Sequence, residues 1–79
     1  MMFNVVMIVL ESMATHKFMS CEHNGVMLLG DADKFLHNNG CIIKQWETVI
    51  ALGIGEPTEL TSVNFIDGSV RKFFITRIN

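Results

Sequence analysis

Asp67-Gly68 stands between two runs whose apolar side chains alternate, and no other stretch narrows the fold so far. Val63 and Phe65 alternate before it, and Val70, Phe73 and Ile75 follow it. An Asp-Gly pair accepts the positive φ angles of a tight primed turn, whose twist matches the strands it joins. Residues 60–66 and 69–78 are therefore expected to form a β-hairpin. Its register stays open, because a two-residue loop and a bulged loop place Phe73 and Phe74 on opposite faces.

Strand chemistry recurs elsewhere. Residues 3–10 read Phe-Asn-Val-Val-Met-Ile-Val-Leu, a β-branched run of the length of a strand covered on both faces. A helix running on through residues 11–18 is the weaker reading, since β-branched side chains lose χ1 freedom in a helix. No Lys or Arg precedes the run, as a secretory signal requires, and the run is about half the length of a membrane span. His23-Asn24-Gly25-Val26 carries a second turn signal, with arms over residues 17–22 and 26–29. Residues 31–37 read as one or two helical turns, with Asp31 as the N-cap and Asn39-Gly40 as the stop. Residues 41–54 fit either period. The β-branched Ile42, Ile43, Thr48, Val49 and Ile50 favour a strand, while Ile42, Ile43, Trp46, Val49 and Ile50 also trace a helical stripe. Gly53, Gly55 and Pro57 then form a loop, because Pro57 has no N–H to offer a central strand. The expected fold class is mainly β: a small antiparallel sheet or partly closed barrel of about five to six short strands with one short helix. The alternative is α+β, with residues 41–52 helical.

Composition decides what such a fold can hide. The 79 residues suit a single small domain, and a domain that short buries only about 60–65% of the surface its unfolded chain exposes. Yet 49% of the residues are hydrophobic and only 18% are charged, where about 25% charged is usual. The mean hydropathy is +0.36. Long charged side chains normally coat a small domain; with so few, large apolar side chains must reach the surface. A contiguous patch of that kind marks a contact site. All six methionines lie at or before Met27, so the first third holds the adaptable side chains that suit contact. Disorder is excluded by the same figures. A net charge of −2 sets up no field for nucleic acid. Two cysteines and no Asn-X-Ser/Thr acceptor fit a reducing cytoplasm rather than a secreted disulfide scaffold.

Few constellations could carry chemistry. Cys21-X-His23 followed by His37-X3-Cys41 supplies the donor types of a tetrahedral zinc site, although one intervening residue in the first pair is below the usual spacing. Cys21 with His23 lacks any sign of thiol activation, and Gly53-Ile54-Gly55 lacks the Lys-Ser/Thr of a phosphate loop. No convergent catalytic site emerges, so the chain reads as non-enzymatic, with no cofactor implied. Arg71, Lys72 and Arg77 flank Phe73 and Phe74, a weak pattern for single-stranded nucleic acid, and Arg71 with Lys72 is an ordinary guard for an edge strand. Trp46, Phe73, Phe74 and Ile75 are the candidate interface anchors, aromatic side chains being dominant at hot spots. The functional expectation is a small interaction module that self-associates as a homo-oligomer, or regulates a larger protein, through an apolar face or sheet edge. A phage- or plasmid-type accessory inhibitor fits that pattern by size alone. A small nucleic-acid-binding domain, zinc-supported or not, is the alternative.

Overall fold

The pleat shared by two neighbouring strands organises the molecule. The computed structural model describes residues 1–10, 19–66 and 68–79. In it β1 (Met2–Leu10) runs antiparallel beside β4 (Val70–Arg77), with Val5 opposite Ile75 and Met7 opposite Phe73. Successive side chains of a strand point to opposite faces. Phe3, Val5, Met7, Phe73 and Ile75 therefore share one face, and all are buried. Asn4, Val6 and Ile8 share the other with Thr76, Phe74 and Lys72. β2 (Met19–Leu28) adds to the free side of β1 and β3 (Pro57–Val63) to the free side of β4, giving the antiparallel order β2-β1-β4-β3.

Two helices close the buried face. α1 (Leu29–Asn38) places Ala32 and Leu36 in the core, and α2 (Ile43–Ile50) contributes Val49, with Leu52 just beyond it. Phe35 meets Phe73 edge-on and Trp46 meets Phe3 edge-on, each at 6.4 Å between centroids. Fully burying one large apolar side chain of this kind contributes roughly 1.5–3 kcal/mol, so these few contacts hold the layers together.

α1 stops as expected. The Cys41 N–H donates to the Leu36 carbonyl at 2.9 Å and the Gly40 N–H to that of His37 at 3.2 Å. This is the Schellman arrangement, with Gly40 at φ 94°. A Cβ on Gly40 would also lie 3.2 Å from Ser62 Oγ, which itself donates to the Asn39 carbonyl at 2.8 Å. At the start of α1, Asp31 sits in the first turn and the N-cap is Leu28, whose apolar side chain makes no capping hydrogen bond. α2 begins on half a capping box. The Ile42 N–H donates to Gln45 Oε1 at 2.9 Å, and Gln45 Nε2 donates to the Thr61 carbonyl of β3 at 2.8 Å.

Several expectations need correcting. Among the described residues the sheet has four strands rather than five or six, it is open rather than barrel-like, and there are two helices. The class remains mainly β. Residues 43–50 form a helix, not a strand, because Trp46, Val49 and Leu52 reach the core only at helical spacing. Asn24-Gly25 makes no turn: Asn24 pairs with Val6 and Gly25 with Val5, inside β2, and Gly25 is not among the glycines of positive φ. A local turn preference is outweighed there by a ladder of nine residue pairs with β1. Residues 17–18 of the expected first arm, and the helical alternative over residues 11–18, lie outside the described residues. Among the described residues, helices cover β1 on one face only. The β3–β4 hairpin is present with shorter arms, Val63 facing Val70 across residues 64–69, of which Asp67 lies outside the described residues. Its register puts Phe73 inward and Phe74 outward. β2 carries a bulge, Glu22 standing unpaired between Cys21 (opposite Ile8) and His23 (opposite Met7).

Two glycines test this assignment by urea denaturation. Gly25→Ala should raise the unfolding free energy by about 0.4–1 kcal/mol, because an extended backbone admits alanine while the unfolded chain loses freedom. Gly40→Ala should lower it by about 1–3 kcal/mol, since a side chain there is strained. A loss at Gly25 would restore the turn reading.

Candidate interaction surface

The face turned away from the helices is built from the alternate residues of all four strands. Val6 lies between Asn24 and Phe74, Ile8 between Cys21 and Lys72, and Asn4 between Val26 and Thr76. Met2 faces Leu28 at the end. Val26, Leu28 and Phe74 are exposed, Phe74 to 40%, and Val6 and Ile8 are half-buried. Both helices pack on the opposite face, so among the described residues no helix covers this one. Its apolar side chains lie on β2, β1 and β4, and its charged pair spans β4 and β3. There Lys72 Nζ stands 3.5 Å from Glu59 Oε1. A groove of about 320 Å³ lies beside this pair, lined by Pro57, Thr58, Glu59, Phe74, Ile75 and Thr76.

The β3–β4 hairpin ends in a second apolar feature. Phe65 and Ile66 are 94% and 97% exposed. Their loop is nonetheless tied down: the Ile66 N–H donates to Asn64 Oδ1 at 2.9 Å, and the Gly68 N–H to the Asn64 carbonyl at 2.8 Å. Side-chain bonds of this Asx type fix a turn locally. On α2, Ile43 and Ile50 are exposed as well, but Lys44, Glu47 and Thr48 interrupt them.

The candidate anchors divide. Phe74 is on the bare face and Trp46 is half-buried against Phe3, while Phe73 and Ile75 are core side chains with 0% and 1% exposure. The inward register of β4 therefore removes those two from any surface role in this chain. The signal missed in the sequence was Phe65-Ile66 at the hairpin tip, together with Val6, Ile8 and Val26; alternation within the runs identified the strands but not which face lacked a cover.

Arg71, Lys72 and Arg77 do not form a basic patch. Lys72 points to the bare face, and Arg71 and Arg77 alternate to the other. Arg77 is structural: its Nη1 donates to the Leu52 carbonyl at 2.8 Å and its Nε to that of Asn79 at 2.9 Å, fastening the segment after α2. Arg71 Nε is buried without a hydrogen-bond partner. Because β4 lies between β1 and β3, Arg71 and Lys72 guard no edge.

The four zinc-type residues are spread apart. Cys21 is exposed on the bare face, His23 faces the helices with its ring 4.6 Å from that of Phe35, and Cys41 is in the core. His37 Nδ1 lies 2.7 Å from Asp33 Oδ1 and 2.9 Å from the Asp33 carbonyl, so that nitrogen carries the proton. Among the described residues no three His, Cys, Asp or Glu side chains are placed to share a metal ion. Burial pushes the Cys41 thiol up from 9.0 to about 11.

No family model, curated protein or solved structure matches this chain. Among the described residues no helix is long and apolar enough to cross a membrane.

Two measurements check these placements. At pH 8 a disulfide-exchange reagent should titrate Cys21 in the native protein and Cys41 only after unfolding, because the thiolate is the reacting form. The linked pH dependence has a fixed sign. An unfolded Cys41 ionises first, so its contribution to stability is constant below about pH 9 and falls as the pH climbs toward 11. Excess chelator should leave the thermal midpoint unchanged, and a drop of several degrees would revive the zinc quartet.

Proposed function

We propose that this chain is a small non-enzymatic interaction module that presents the bare face of its sheet to another protein surface, its own or that of a larger partner. The observation that carries this reading is the apolar patch of Val26, Val6, Ile8 and Phe74, which spans three strands and is bordered by Asn4, Asn24 and Lys72. An antiparallel sheet with one solvated face ordinarily alternates apolar-in and polar-out, and this face departs from that rule on its β2–β1–β4 side. Leaving large apolar side chains in water forgoes roughly 25 cal/mol per Å² that a covering surface would recover. The reading as a nucleic-acid-binding domain draws no support from the geometry, since its three cations lie on two faces and one of them is committed within the fold.

Affinity capture and native mass measurement on the wild type and on Val26→Glu with Phe74→Glu test the proposal. Both substitutions sit on the outer face, so the fold should survive, as circular dichroism would verify. The wild type should retain a bound protein chain, whether a second copy or another protein, that the double variant loses by at least about tenfold in affinity. Equal behaviour of the two proteins sinks the reading.

A further inference from the structure

We infer that the helix-covered side of the sheet carries, at its rim, a binding site for an oxyanion, carboxylate or phosphate, held by the Arg71 guanidinium. The site lies on the opposite side of the sheet from the apolar patch and stands independently of it. Arg71 shares its face with Phe73 and Ile75, between Val9 of β1 and Ser62 of β3. Its side chain is half-buried, and Nε has lost contact with water without gaining a hydrogen-bond partner. Nε is the one nitrogen of the guanidinium that is both buried and unpartnered, so the two Nη reach solvent. Among the described residues no carboxylate pairs with Arg71: the ion pairs there join Lys72 to Glu59 and His37 to Asp33.

Ordinary structural roles do not account for this arginine. A snorkelling side chain buries its methylene stem and keeps its whole charged head in water. Here burial has reached the guanidinium itself. An arginine can also serve a helix C-terminus, and α1 ends close by, where the Ser62 hydroxyl donates to the Asn39 carbonyl. The carbonyls of that terminus are answered by other donors. Cys41 N–H donates to Leu36, Gly40 N–H to His37 and Asn39 Nδ2 to Phe35. Arg77 supplies the contrast on the same strand face, since its Nε and Nη1 both hold carbonyls. Buried charges in folded proteins are paired, and a buried polar atom without a partner points to a group that completes it. A guanidinium with an anchored stem and two open Nη presents a fork that matches the two oxygens of one oxyanion. Ser62 opposite it and Ser69 two residues before it are both buried, and a partly dry setting strengthens such a pair. With one free cation on this face among the described residues, the site suits a single anionic group rather than the phosphate run of a nucleic acid.

Proton–nitrogen correlation spectra of the full chain test the inference, with sodium formate and sodium phosphate as separate probes against sodium chloride at matched ionic strength and fixed pH. The Arg71 Nε–H, shielded from water, should give its own cross-peak. That peak and the Ser62 amide should move saturably with at least one oxyanion, at roughly millimolar affinity, and not with chloride. Saturation by formate alone assigns the site to a carboxylate, by phosphate alone to a phosphate, and by both to the shared chemistry. Arg71→Gln should weaken binding at least about tenfold, the loss of a charge-assisted pair. Lys34→Gln, which removes the same charge from the exposed surface of α1, should change it by less than about twofold. Saturation by neither oxyanion, or binding that Arg71→Gln retains, overturns the inference. Should that variant fail to fold, the titration of the Nε–H peak in the wild type decides alone.

Discussion

A strand has two sides, and the two helices among the described residues cover one. β1 commits Phe3, Val5 and Met7 to the helices and Asn4, Val6 and Ile8 to the reverse, because side chains alternate along it. Helices of 10 and 8 residues, about 15 and 12 Å long, form one layer over a sheet whose longest strand has 10 residues. The one-sided core follows, and so does the exposed apolar surface that the composition required. The shortage of charge in the sequence and, among the described residues, the lack of a helical layer on the outer face are the same fact at two levels.

Several polar groups, Arg77 of the basic trio among them, are spent on architecture. Arg77 holds the segment after α2 against the end of β4, Gln45 joins the start of α2 to β3, and Ser62 ties β3 to the carbonyl of Asn39. Each satisfies a backbone carbonyl, near a helix end for Arg77 and Ser62 and on edge strand β3 for Gln45, where unpaired groups are otherwise costly. Cys41 packs among apolar side chains, where burial disfavours its thiolate. Large apolar side chains such as Val26, Leu28, Phe65 and Phe74 are left on the surface, which is why the function proposed concerns shape and contact rather than reaction.

Much of the fold was legible wherever one local rule acted alone. Alternation around Asp67-Gly68 marked β3 and β4, β-branched density marked β1, and Asn39-Gly40 marked the end of α1. It failed where two rules competed. In residues 41–54, β-branched content spoke for a strand, but a helix suits the joint burial of Trp46, Val49 and Leu52 and leaves Ile43 and Ile50 outside. At Asn24-Gly25 the turn chemistry was sound locally and lost to long-range pairing with β1. The candidate surface was less legible still. Which of Phe73 and Phe74 faces out depends on register, and register depends on a loop length that composition does not specify.

The bulge at Glu22 has a bearing on how neighbours can approach. An incoming strand that tried to extend the sheet beside β2 would meet a ladder broken near its middle and twisted out of line. On the far rim, Pro57 withholds a donor and Gln45 already occupies a carbonyl of β3. Lateral recruitment is thus obstructed at both margins, and a visitor is steered to approach broadside, onto the flat of the sheet.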